Sequence, residues 1–322
     1  MSAASAPGIQ QWDVKEPYLN LHCALGEGPY YEAATNSLRF VDIKKHRLHT
    51  VNLDQGPESV STLQLDTPVG VTADIEGVDP REKILVGAKY GIAVLDRKTG
   101  KYEYVTRFGE QDNERLRSND GAVGPDGTFW QGSMTDFGYE TQTEGHLYVF
   151  SGSSQPARSA RHPIAIPNSV GWSPDGRTMY FTSTMERTVF AWDYEAGGRG
   201  SGSGPRLSNE RVFYRHEDGD GVANAGALPD GFRVDAEGNL WHAFYYGSCV
   251  LKISPAGEVV GRVNLPTRNV TCVQFVGTEL FITTAGMEEG EGTAREVELS
   301  GAVFRVDVGA RGLEPFAFKM GQ

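Results

Sequence analysis

The chain has 322 residues, with 30 basic against 42 acidic side chains, a formal net charge of −12, and no basic run longer than Lys44-Lys45. Nothing in it would neutralise a phosphate backbone, which argues against a nucleic-acid partner. A metal cation or a neutral to mildly anionic small molecule fits better. Met1 to Gln11 is small and polar with no apolar run, so neither a signal peptide nor a membrane span is read there, and a cytoplasmic protein is expected. Cys23, Cys249 and Cys272 are odd in number and unrelated in spacing; they read as free thiols in or near the core. Glycine is abundant, 40 residues, which implies many tight turns.

In chain order, the first strand-like piece is 18–22, expected to pair with the last repeat near 313–319. One short apolar strand then recurs six times, centred on Phe40, Leu85, Trp130, Tyr180, Trp241 and Phe281. The centres are 45, 45, 50, 61 and 40 residues apart, which brackets the propeller-blade period of about 40–50. Turns of the type Pro125-Asp126-Gly127, Pro174-Asp175-Gly176 and Ala236-Glu237-Gly238 precede three of them. Each is followed by a further strand, at 47–53, 92–96, 146–150, 188–193, 249–253 and 302–306. A fourth, less marked strand completes the unit, as at 102–106 and 259–264. Four strands, six times, with no convincing amphipathic helix, predict an all-β fold: a six-bladed β-propeller with four-stranded antiparallel blades. It is read as one domain over 17–322 behind an N-terminal extension, 1–16. The stretches 197–204 and 217–228 read as loops, the second placed to roof the central opening.

In a propeller the first strand of each blade lines the channel, so side chains at its start face one another. Glu27, Asn168, Asp230 and Asp120 stand 13, 12, 11 and 10 residues before Phe40, Tyr180, Trp241 and Trp130. Their oxygens are the donors a hard divalent cation needs. Glu27, Asn168 and Asp230 give three donors with a net ligand charge of −2, and Asp120 offers a fourth, directly or through water. No histidine stands at these positions, which argues against a zinc site of the usual kind. Acids and amides also cap turns, but inward acids at strand starts are costly without a partner. Arg117 and Asn119 bring a fork of donors and a donor–acceptor amide, which suits a polyhydroxylated ligand. Asp218-Gly219-Asp220-Gly221 lacks the downstream Glu of a calcium loop and reads as solvated.

The runs Leu25-Gly26-Glu27-Gly28-Pro29, Arg117-Ser118-Asn119-Asp120-Gly121, Pro167-Asn168-Ser169 and Leu228-Pro229-Asp230-Gly231, in this order, resemble the SMP-30/gluconolactonase/LRE family. The resemblance covers roughly Leu25 to the end. It implies one divalent metal ion on the axis, held by Glu27, Asn168 and Asp230. Calcium is the first expectation, with magnesium, manganese, zinc or iron as alternatives. It implies further that Asp230 is the general base and that Arg117 and Asn119, with Asp120 beside them, bind a sugar lactone. The expected activity is metal-dependent hydrolysis of an aldonolactone to the open aldonic acid, by a monomer. Two departures stand out: Ser169 where the family often has glycine, and Thr135-Asp136-Phe137 where some members carry acids that touch substrate. The same residues are compatible with a non-catalytic calcium-binding or scaffold propeller, or with a metal-dependent esterase or organophosphate hydrolase.

Overall fold

The computed structural model describes residues 8–152, 156–197, 204–219 and 221–321. Its strands form six sheets, each one blade of a six-bladed β-propeller. From the axis outward, blade 1 is Gly26–Glu32, Ser37–Asp42, Arg47–Asn52 and Ser61–Gln64. Blade 2 is Val69–Ala73, Lys83–Ala88, Gly91–Asp96 and Tyr102–Arg107. Blade 3 is Leu116–Val123, Phe129–Thr135, Gly145–Phe150 and Arg158–Ile164. Blade 4 is Pro167–Trp172, Thr178–Ser183, Thr188–Glu195 and Arg206–Arg215. Blade 5 is Leu228–Val234, Leu240–Tyr245, Cys249–Ile253 and Val259–Asn264. Blade 6 takes Val270–Val276, Glu279–Thr284 and Ala302–Asp307 from the end of the chain. Its inner strand lies against that of blade 1, which closes the ring.

The apolar core is divided among the six seams between blades. Successive side chains of a strand point to opposite faces, and each blade is covered on both. Phe40 therefore enters the seam with blade 6 while its neighbour Val41 enters the seam with blade 2. Trp241 and Leu240 divide in the same way between blades 6 and 4. This is why the second strands read as continuous apolar runs rather than as alternating ones. Trp241 is fully buried, with Trp12 at 5.1 Å between ring centroids. We expect Trp241→Ala to cost about 3–5 kcal/mol in urea unfolding; a loss below about 1 kcal/mol would mean that the seam collapses around the gap.

The ends of the chain differ from expectation. The N-terminal piece does join the last blade: Leu19–Asn20 pairs antiparallel with Val303 and Ala302 as its fourth strand. Its partner is thus 302–303 and not 313–319. The stretch after Asp307 is broken by Gly309, Gly312 and Pro315, which suit turns better than a strand. It crosses the far mouth of the channel instead. Leu313 N donates to Val234 O of blade 5 (3.1 Å), Phe318 N to Asp74 O just after the inner strand of blade 2 (2.8 Å), and Lys319 N to Gly127 O of blade 3 (3.0 Å). Phe318 is fully buried in the blade 2–3 seam. Gln10–Asp13, within the stretch read as an extension, adds a parallel fifth strand to blade 5.

A short helix, Ala294–Leu299, sits in the blade 6 insertion, started by a capping box between Thr293 and Glu296. Positions 198–203 of the first expected loop lie outside the described residues. The second, 217–228, is tied to the blade 4–5 rim by Arg187–Asp218 (2.9 Å) and by Arg262 Nη1 donating to Val222 O (2.6 Å). All three cysteines are buried thiols outside any disulfide. Among the described residues no helix is long and apolar enough to cross a membrane.

Candidate active site

All six inner strands carry a register irregularity near their start, at the mouth formed by the loops that follow the second strands. The extra residues fall between Glu27 and Tyr30, Val69 and Val71, Ser118 and Gly121, Pro167 and Val170, Pro229 and Phe232, and Val270 and Cys272. A bulge re-aims side chains out of the normal alternation. Asn168, Asp230 and Asn119 are each the first residue of such a bulge, and Asp120 is the second. Glu27 precedes its own bulge, where Gly28 adopts a left-handed φ of +53° that glycine takes without strain.

Glu27, Asn168 and Asp230 are all brought to the buried axis, at 6, 4 and 7% exposure. The Asn168 amide donates through Nδ2 to Thr184 Oγ1 (3.2 Å), whose hydroxyl donates to Pro229 O (2.9 Å). That leaves Asn168 Oδ1 buried without a partner, and Asp230 Oδ1 is in the same state. Glu27 Oε2 accepts from Gly28 N (2.9 Å). Burial, then the charges of Asp230 and Asp120, pushes the Glu27 carboxyl well above its ordinary range. Burial and then Asp120 push Asp230 up too, against a hydrogen bond from Asn168 and the charge of Arg117. Two crowded carboxyls and two orphaned acceptors form an oxygen set that a dication would satisfy.

Asp120 is committed elsewhere. Its Oδ1 accepts from Gly121 N (2.7 Å) and its Oδ2 from the Ser169 hydroxyl, whose oxygen accepts from Phe232 N (2.9 Å). Among the described residues no group of three or more His, Cys, Asp or Glu is placed to hold a metal ion; the axial set is two carboxylates and an amide. Ser169 and Thr184, which orient these groups, were given no role from sequence. Ser169 stood inside a motif, whereas Thr184 carries no local signal. The Asp230 backbone is held by His242 Nε2 on its carbonyl (3.2 Å). Burial pushes that imidazole down to about 3, so it is neutral. A side chain at Gly231 would stand 2.6 Å from Cys272 Cβ, so glycine is required beside Asp230.

Arg117 is buried at 3% exposure. Its Nη1 donates to Ser118 O (2.7 Å) and Asn119 Oδ1 (2.9 Å), and Asn119 Nδ2 donates to Pro167 O (2.9 Å). The guanidinium lies 4.3 Å from the Phe137 ring and its Nε 3.9 Å from Asp136 Oδ1. Burial lowers its pKa to about 10, with Asp136, Glu27 and Asp230 opposing the shift, so it stays cationic at neutral pH. Arg117 Nε is buried without a hydrogen-bond partner. The mouth above bears exposed apolar side chains: Phe137, Tyr139, Met185 and Tyr246.

An axial set of oxygen side chains beside a buried arginine, on bulged inner strands, characterises this six-bladed propeller. The chain belongs to the SMP-30/Gluconolactonase/LRE-like family, whose model matches residues 25–286. It is 31% identical to the pentonolactonase XacC of Haloferax volcanii, over 91% of this chain and 94% of that protein. It is 30% identical to the L-arabinolactonase of Azospirillum brasilense, over 87% of each. A solved luciferin-regenerating enzyme superposes with a TM-score of 0.79 at 28% identity, covering 92% of this chain and 95% of that one.

Proposed function

We propose that the chain is a lactonase that opens a sugar-acid lactone to its aldonic acid, with Glu27, Asn168 and Asp230 holding a divalent metal ion. The observation that carries this reading is the pair of buried, unpartnered acceptors, Asn168 Oδ1 and Asp230 Oδ1, set beside Glu27 and Arg117. Relatives named pentonolactonase and L-arabinolactonase support five-carbon lactones as first substrates. An all-oxygen donor set favours calcium first, with magnesium, manganese, zinc or iron as alternatives. The bound ion would supply Lewis acidity at the lactone carbonyl.

The chain's own residues do the rest. Asp230 takes a proton from the attacking water, whose oxygen bonds to the lactone carbon; the ring C–O bond breaks, and the proton held by Asp230 passes to the departing ring oxygen, which leaves as a hydroxyl. Arg117 orients the lactone through donors not used in the fold, which lowers the entropic barrier. Asn119 holds Arg117 in place at the ligand side, and Asp120 braces Ser169 beneath the bulge. The formal charge of −12 argues against a nucleic-acid partner, and a closed propeller can act as a monomer; a cytoplasmic site of action completes the proposal.

Arg117→Ala tests the substrate side. Loss of a charge-assisted hydrogen bond should raise KM for aldonolactones about 10-fold or more, with kcat within about 3-fold. Initial rates by proton release read both. An unchanged KM would remove Arg117 from substrate binding.

A further inference from the structure

Beside the axial site, at the rim where blades 5, 6 and 1 meet, lies a cavity of about 630 Å³. Tyr245 and Tyr246 wall it from blade 5, Asn269 and Met287 from blade 6. That volume is within the range of roughly 300–1,000 Å³ for small-molecule sites, and more than a single five- or six-carbon lactone fills. It adjoins the axis: the blade 6 inner strand beside Asn269 is bonded through Thr271 Oγ1 to Gly26 O (2.6 Å), next to Glu27. Burial, then the charges of Tyr246, Asp230, Glu291 and Glu27, raise the Tyr245 phenol.

Two features of the wall suit a ligand. Asn269, 4% exposed, donates through Nδ2 to Gly286 O (3.2 Å), yet its Oδ1 is buried with no partner. A buried carbonyl left unpaired is costly unless a ligand donor meets it. Tyr246 is the third residue of the turn that Gly247 N closes by donating to Phe244 O (2.9 Å), where it takes a φ of +62°, and the residue is 41% exposed. Its ring meets that of Tyr245 edge-on at 4.6 Å, giving a rigid aromatic platform with polar tips. The lining's two lysines, Lys44 and Lys45, are equalled in number by two glutamates, Glu288 and Glu291, a balance that suits a neutral ligand.

We propose that this cavity is a second sugar subsite, receiving a neutral glycosyl group attached to the lactone, with Asn269 Oδ1 accepting from a sugar hydroxyl and Tyr246 stacking on the ring. Disaccharide-derived lactones are then substrates. The inference rests on the lactonase reading.

The test compares glucono-1,5-lactone with its glucosylated form, cellobiono-1,5-lactone. The wild-type KM should be about 10-fold lower for the glycosylated lactone, a difference of one hydrogen bond and one stack. Asn269→Ala and Tyr246→Gly should each abolish that preference while leaving the simple lactone within about 2-fold. Tyr246→Gly should also keep or raise Tm, because glycine relieves the positive φ; a merely structural tyrosine would lower it. Calorimetry with cellobiose, a non-reacting probe, reads the subsite independently of turnover. Cellobiose binding that Tyr246→Gly removes supports the subsite even if no lactone is hydrolysed, in which case the lactonase reading falls alone. Lactone hydrolysis with equal KM values, no cellobiose binding, or binding that survives both substitutions overturns the subsite and leaves the lactonase reading standing.

Discussion

Asp230→Asn should lower kcat for lactone hydrolysis by about 10²–10⁴-fold, the usual contribution of a positioned general base, while the protein stays folded. Asparagine preserves the volume and one oxygen donor but cannot take a proton. The surroundings make the substitution a clean one. Asp230 is set by its bulge, by Gly231 against Cys272 and by the His242 hydrogen bond to its backbone carbonyl, none of which uses the carboxylate. Kinetics should therefore be read together with Tm and metal stoichiometry. A variant that retains both metal and kcat would remove Asp230 from proton transfer.

Stripping divalent ions from the protein should lower its Tm, and the gap between loaded and stripped forms should widen from acid to neutral pH. In the metal-free chain Glu27 and Asp230 are held above their ordinary values by burial and by neighbouring carboxylates. A carboxyl whose folded pKa is raised contributes stability that is present below its unfolded value, near 4, and is lost as pH rises through the folded value. A bound dication favours the charged forms and cancels that loss. At an ion concentration of 100 Kd the stabilisation is about 2.7 kcal/mol, on the order of 5 °C for a chain of this size. Thermal scans at pH 5 and pH 8, with and without each ion, measure it. Glu27→Gln should weaken ion binding and flatten the pH trend of the stripped protein. A gap that is the same at both pH values would mean that these carboxyls are not what the ion neutralises.

The propeller was legible because each second strand is buried on both faces, so Phe40, Trp241 and their counterparts stand in apolar runs that recur. The axial residues were legible because a Glu, an Asn and an Asp fall at comparable distances before those runs. The bulges were not, since an extra residue exists only relative to a partner strand. The structure accordingly puts Asn119, not Asp120, at the register of Asn168 and Asp230. The closing strand was half legible: 18–22 looked like a strand, but its partner depends on Gly309, Gly312 and Pro315 turning the tail away. The blade 6 helix had a signal, Thr293-Ala294-Arg295-Glu296, too short to show periodicity. Asn269 had none, because its value comes from a cavity formed by residues of three blades.

The most direct measurement is proton release from pentono- and hexonolactones by metal-free wild-type protein, before and after each divalent ion is restored. The account predicts background rates without metal and enzymatic hydrolysis on restoration, with loss of the restored rate in Glu27→Gln. Full activity in rigorously metal-free protein, or no hydrolysis with any ion despite tight binding, would contradict it.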